Sequence, residues 1–173
     1  MILRIITHTP VWVWALLALL VGFGYQQTKS RTVGLRRVTI IPVILTALSI
    51  YGTLSAFGSS PAVLLAWLAA AVMLATTVML TPVPTGTRFD NQTRQLHVVG
   101  SWVPMALMMG IFANKYVVGV ALSLHPELAQ NTTFTLAFSA LYGAFSGVFV
   151  ARAARLWRFA LQQTRGGFSA LAV

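Results

Sequence analysis

This chain of 173 residues contains only two acidic side chains, Asp90 and Glu127. Long apolar runs assign these two residues to opposite sides of a membrane, so they cannot form the carboxylate pair of an acid–base catalyst. His8, His97 and His125 are divided in the same way, which excludes a three-histidine metal site and argues against a bis-histidine haem. The chain has no cysteine, nucleophile elbow, phosphate-binding loop or dinucleotide fingerprint. We therefore predict a protein that is not an enzyme and uses no metal or cofactor.

Lys115 is the one charged residue inside an apolar run. A charge near the centre of a membrane helix costs about 3 kcal/mol, and such residues usually face the bundle interior or a water-filled cavity. Counting residues from the ends of the runs places Tyr51 and Tyr142 at the depth of Lys115, with Asn114 beside it. We expect these four residues to form a ligand-binding site for a small anionic solute or a proton-linked step. In the alternative interpretation, the Lys115 side chain extends along its apolar stem to the outer interface.

The elements that must position these groups are apolar helices. The composition is 57% hydrophobic and 8% charged, and the apolar residues form five runs of about 18 to 23 residues, the length that crosses hydrocarbon. The runs cover residues 9–26, 38–57, 62–80, 102–124 and 133–150. Between the third and fourth runs, residues 87–99 alternate polar and apolar side chains around a turn-forming centre, which predicts a short β-hairpin. The predicted fold is an all-α membrane bundle of about five transmembrane helices with this hairpin between helices 3 and 4.

Basic residues give the predicted threading of the chain. Ten of the twelve Lys and Arg residues fall on one side of the predicted bundle, which the positive-inside rule assigns to the cytoplasm. These ten are Lys29, Arg31, Arg36, Arg37, Arg88, Arg94, Arg152, Arg155, Arg158 and Arg165. The N-terminus is therefore predicted outside and the C-terminus in the cytoplasm, with a single helical domain over residues 1–158 and a cytoplasmic tail over 159–173.

The basic rim also has an expected partner. We predict that Arg36, Arg37, Arg152 and Arg155 bind anionic lipid headgroups, although a role in topology alone is also consistent with their positions. The net charge of +10 does not indicate nucleic-acid binding, because no soluble platform presents these residues.

Small residues recur at four-residue spacing in two of the runs, where they allow helices to approach closely. Gly143 and Gly147 form such a face on the fifth run, and Ala106 and Gly110 form one on the fourth. We expect the fourth and fifth helices to pack together through these faces and to hold Lys115 inward. Homodimerisation through the same glycines is the alternative.

Three segments carry a resemblance to a known family. They are residues 8–12 (HTPVW), 100–116 (GSWVPMALMMGIFANKY) and 141–147 (LYGAFSG). The chain resembles, over nearly its whole length up to Arg158, a family of small multi-pass bacterial inner-membrane proteins of unknown function. The resemblance implies a bacterial inner membrane and adds no activity.

Two classes of function are consistent with the sequence. One is a bundle that binds or transports a small anionic solute, or protons, around Lys115. The other is a non-catalytic accessory or assembly protein that binds anionic lipid or a partner protein.

Overall fold

A computed structural model describes the backbone of residues 10–82, 86–90, 93 and 95–170, and their side chains except those of Leu35 and residues 164–170. In this part of the chain there are five α-helices, a short 3₁₀-helix and three β-strands. In chain order they are α1 (Val11–Gln26), β1 (Arg31–Gly34), α2 (Leu35–Phe57), α3 (Pro61–Leu80), β2 (Arg88–Asp90), β3 (Gln95–Val98), α4 (Val103–Leu124), the 3₁₀-helix (Pro126–Gln130) and α5 (Thr132–Ala170).

Each of the five predicted apolar runs coincides with one of these helices. Helices α2 to α5 are long and apolar enough to cross a membrane, by length and composition. Helix α1 is also apolar but has only 16 residues. Helix α5 continues well past the predicted end at residue 150, because the Ala-, Arg- and Leu-rich segment that follows contains good helix formers and no proline. No break in secondary structure marks residue 159, so the division of the chain there stays a prediction.

Prolines and glycines delimit α3. Pro61 occupies its first turn, where the missing N–H costs no hydrogen bond. The preceding turn contains Gly58 with φ at 75°, a backbone conformation that favours glycine. At the other end the helix stops before Thr81, which is followed by Pro82 and therefore adopts an extended conformation. These signals set both ends of α3 and the short turn that joins it to α2.

The predicted hairpin forms, and a third strand joins it. Strands β2 and β3 pair antiparallel, and β1 pairs antiparallel with the other edge of β3. Val33, Leu96 and Phe89 lie side by side across the sheet, and Leu96 is fully buried. Sequence patterning missed β1 because a four-residue edge strand ending in glycine has no clear alternation. The turn positions 91, 92 and 94 lie outside the described residues.

The closest helix packing is between α3 and α5, which corrects the predicted pairing of the fourth and fifth helices. A Cβ on Gly143 would overlap the backbone carbonyl of Trp67, and a Cβ on Gly147 would overlap that of Ala71. Both glycines are therefore packing residues as predicted, but their partner is α3. The prediction chose the wrong helix because sequence spacing identifies a small-residue face and not the surface opposite it.

The predicted small residues of α4 have different environments. A Cβ on Gly110 would lie 2.8 Å from the ring of Phe145, so this glycine faces a side chain of α5. Ala106 is exposed and does not form the predicted packing face. Helix α4 is instead the main neighbour of α1, and Gly24 of α1 lies against Met105. This arrangement leaves a gap between α1 and α2, and the gap forms part of the candidate site.

Candidate functional site

The Lys115 ammonium lies between Gly52 of α2 and the Tyr142 ring of α5, while the side chain as a whole is exposed. Its Nζ is 5.4 Å from the centroid of the Tyr142 ring, within the range of a cation–π contact. Tyr142 is buried and lies ten residues after Thr132, about 15 Å along α5. The Lys115 side chain therefore does not extend to the end of the helices, and it lies close to Tyr142 as predicted.

Gly52 provides the space that the ammonium occupies. A Cβ at this position would be 2.5 Å from the Lys115 Nζ, closer than two such atoms can approach. Residue 52 must therefore lack a side chain if the ammonium is to stay where it is. Sequence reasoning missed Gly52, because nothing in its own neighbourhood distinguishes it from any other helical glycine.

Lys115 also lines a large cavity with a volume of about 1040 Å³. Helices α1 and α2 form two of its walls, with Trp12 and Leu16 on one and Leu45 and Leu48 on the other. Helix α4 forms the third wall, and Phe149 of α5 contributes one ring. The lining is almost wholly apolar. Its volume is at the upper end of ligand pockets, which run from about 300 to 1,000 Å³.

Neither acidic side chain of the protein can neutralise Lys115. Asp90 lies in the sheet, where the Thr93 hydroxyl donates a hydrogen bond of 2.7 Å to its carboxylate. Glu127 lies in the 3₁₀-helix and contacts His125 Nδ1 at 2.9 Å. A backbone hydrogen bond at Glu127 and the side-chain hydrogen bond with His125 lower the pKa of the Glu127 carboxyl. Among the described residues, the ammonium therefore has a cation–π contact with the Tyr142 ring in place of an ion pair.

The predicted contact between Lys115 and Tyr51 is not formed. Tyr51 is 71% exposed on the surface of α2, and no hydrogen bond joins it to Lys115 in the described part of the chain. The depth inferred from the sequence was right, since the neighbouring Gly52 faces the ammonium. The face was wrong because one residue along a helix turns the side chain by about 100°.

Asn114 is buried and does not line the cavity that Lys115 lines. It is 7% exposed, and neither its amide nitrogen nor its amide oxygen has a hydrogen-bond partner among the described residues. Ser139, fully buried one turn before Tyr142, also has an unpaired hydroxyl. Asn114 therefore belongs to the polar interior near the site and does not contact the ammonium directly.

Ser49 connects three helices at the level of the site. Its hydroxyl donates to the carbonyl of Tyr142 at 3.1 Å and accepts a hydrogen bond of 3.1 Å from the Trp67 indole N–H. Such interhelical bonds contribute about 0.6 to 2 kcal/mol each in membrane bundles. Ser49 thus fixes α2 and α3 relative to the Tyr142 backbone. A lone serine in an apolar run gave no sequence signal for this role.

The four arginines predicted to bind lipid headgroups differ in their surroundings. Arg36 and Arg37 are exposed at the start of α2, and headgroup binding stays a prediction for them. Arg155 instead donates from Nη1 to the carbonyls of Thr81 at 3.0 Å and Pro82 at 3.1 Å, at the end of α3. Arg152 is partly buried beside it. The side chains of Arg94 and Arg165, which support the threading, lie outside the described residues.

Comparison with known proteins gives a family and no activity. The model of a family of unknown function, DUF6622, matches residues 1–166. The chain belongs to this family. The Lys115 cavity and the glycine faces of this DUF6622 protein all fall within the matched residues.

A curated relative of this DUF6622 protein is an uncharacterized protein of Pasteurella multocida (strain Pm70). It is 38% identical over 42 residues, which are 24% of this chain and 33% of the relative. The chain thus spans about a third of the length of the curated relative that it matches. No solved structure matches the chain.

Proposed function

We propose that this protein is an integral protein of a bacterial inner membrane with five spans, the N-terminus outside and the C-terminus in the cytoplasm. Four long apolar helices support the membrane placement, and α1 is the fifth span, with a length of about 24 Å for its 16 residues. The asymmetric distribution of Lys and Arg supports the orientation. The bacterial source of the Pasteurella relative supports the choice of membrane.

Within this frame, we infer that the protein binds an anion at Lys115. The observation that carries the inference is a single ammonium in the wall of a large apolar cavity, held by an aromatic ring and lacking a carboxylate partner. A charge in such surroundings is costly unless it is paired. An anion that enters the cavity supplies the missing countercharge, and electrostatic attraction is stronger there than in water.

This is a binding role and requires no covalent chemistry. Tyr142 and Gly52 are positioning residues, because the ring faces the ammonium and the glycine leaves room for it. A non-catalytic accessory role through the basic rim remains the second candidate, and the exposed Arg36 and Arg37 favour it.

Thermal unfolding of the purified protein in a neutral detergent tests the anion site. A ligand that binds only the folded state raises Tm. We expect oleate, or inorganic phosphate if small anions bind, to raise Tm of the unmodified protein and of Lys115→Arg. Lys115→Met should remove this shift while leaving membrane insertion unchanged or improved, since it removes a charge from the span. An equal shift in Lys115→Met and the unmodified protein for every anion would contradict the site.

A further inference from the structure

We propose that the ligand of the Lys115 site is a single-chain anionic amphiphile, with a carboxylate or phosphate head at Lys115 and one long apolar chain in the cavity. The proposal rests on the anion site and adds the class of ligand. It depends on the shape of the cavity, the chemistry of its walls and the depth of the ammonium.

The cavity is long and follows helix α4. Its lining on this helix extends from Met108 to Leu124, sixteen residues apart, or about 24 Å at 1.5 Å per residue. Lys115 lies within this length, about 10 Å from one end and about 14 Å from the other. A compact inorganic anion at the ammonium would leave most of the cavity unfilled, whereas an extended apolar chain follows its length.

The walls are chemically matched to a hydrocarbon chain. Leu16 and Leu20 of α1 face Leu45 and Leu48 of α2 across the cavity, and Ile111 lies on the α4 wall. Burying an apolar chain against such side chains contributes about 25 cal/mol for each Å² removed from water. The few polar side chains, among them Lys115 and Ser123, all lie on α4. The site is therefore amphiphilic, with its positive charge on one wall.

The cavity is partly open to the surroundings of the bundle. Helix α1 makes its principal contacts with α4, so α1 and α2 stand on opposite sides of the cavity. An amphiphile dissolved in the bilayer therefore has a lateral route between these two helices. The depth of Lys115 selects against a two-chain phospholipid, whose headgroup at the surface would leave the ammonium beside a chain and unpaired. A single-chain amphiphile can bring its head to the lysine.

Trp12 provides a native reporter because its side chain lines the cavity. The probe is dibromostearate, whose bromine atoms quench tryptophan fluorescence on contact, added to the protein in nanodiscs of neutral lipid. The Trp12 signal is the difference in quenching between the unmodified protein and Trp12→Phe. We expect this signal to saturate, and its half-saturation concentration to rise about tenfold or more in Lys115→Met, as for a lost charge-assisted bond. The uncharged methyl ester of dibromostearate should bind the unmodified protein as weakly as dibromostearate binds Lys115→Met.

Two glycine positions give a matched pair of variants. Gly119 lines the cavity and a Cβ there meets no atom within 4 Å, so Gly119→Leu adds an apolar side chain to the cavity wall next to Lys115. Gly22 of α1 also has open space around a Cβ and does not line the cavity. Gly119→Leu should raise the half-saturation concentration of the Trp12 signal, and Gly22→Leu should leave it unchanged.

The remaining outcomes separate the class of ligand from the anion site itself. If inorganic phosphate raises Tm through Lys115 while dibromostearate gives no saturable Trp12 signal, the site binds small anions and the amphiphile proposal is overturned. If neither probe binds in a Lys115-dependent manner, the anion site fails as well. Quenching that is unsaturable and equal in Lys115→Met reflects surrounding lipid only, and also overturns the proposal.

Discussion

At the scale of single residues, the position of the Lys115 ammonium is set by what lies opposite it. The ring of Tyr142 attracts the charge, and Gly52 leaves the space in which the ammonium sits. A cation–π contact contributes about 0.5 to 2 kcal/mol, which is less than the cost of placing a lysine at the centre of a span. The contact therefore orients the ammonium but offsets only part of the free-energy cost of its charge. A bound anion offsets the rest of that cost.

Gly52→Ala tests this positioning without altering any charged or aromatic group. The added methyl group would lie 2.5 Å from Nζ, so the ammonium must leave its present position. We expect weaker binding of oleate in the thermal-shift assay, in the same direction as Lys115→Met and smaller in magnitude. Gly22→Ala, which meets open space, is the control. Unchanged affinity in Gly52→Ala would show that the observed position of the ammonium is not needed for binding.

At the scale of helices, the bundle is organised around the contact between α3 and α5. Gly143 and Gly147 bring the α5 backbone against the carbonyls of Trp67 and Ala71. Ser49 adds hydrogen bonds from α2 to the same region. Because lipid tails are as apolar as the helices, close packing and interhelical hydrogen bonds supply the association energy. This contact therefore holds Tyr142, and with it one side of the Lys115 site.

Replacing either glycine by valine should separate α3 from α5. Gly143→Val and Gly147→Val should each lower the free energy of unfolding by about 1 to 3 kcal/mol or more, the cost of overpacking a close contact. Denaturant titration of the purified protein in detergent measures the change. Gly119→Ala is the control because its Cβ meets no atom within 4 Å. Equal stability of all three variants would contradict the close packing of α3 and α5.

The helices and strands show which structural features can be predicted from the sequence and which cannot. Hydrophobic run length located all five helices, and period-two alternation located β2 and β3, because both signals are local. The partner of the glycine face and the third strand depend on contacts between distant segments. In the same way, counting residues placed Tyr51 and Tyr142 at the depth of Lys115, but which of the neighbours Tyr51 and Gly52 faces the ammonium depends on helix rotation. The cavity has no local signal at all.

At the scale of the whole molecule, the sheet and the 3₁₀-helix lie at opposite ends of the helices. The sheet joins residues 31–34 to the segment between α3 and α4, and the 3₁₀-helix connects α4 to α5. In the orientation that we propose, the sheet lies on the cytoplasmic side. Lys115 lies near the middle of α4, between these two ends of the helices.

The threading can be tested directly because the protein has no native cysteine. We expect a single cysteine at Thr93, in the turn between β2 and β3, to react with a membrane-impermeant maleimide only after the cells are opened. A cysteine at Glu127, in the 3₁₀-helix, should react in intact cells. Both positions are exposed, so accessibility of the side chain does not limit the reaction. The reverse pattern would invert the orientation, and labelling of both positions in intact cells would place them on one side.

Acylation of the Lys115 nitrogen shows whether an amphiphile reaches it. The protein has two lysines, Lys29 and Lys115, and only Lys115 lines the cavity. A long-chain acyl succinimidyl ester transfers its acyl group to an uncharged amine, and mass spectrometry of the digested protein locates the modification. We expect the long-chain ester to favour Lys115 over Lys29 relative to the acetyl ester, and oleate to protect Lys115 alone. Modification confined to Lys29, with no protection by oleate at either lysine, would contradict the amphiphile proposal.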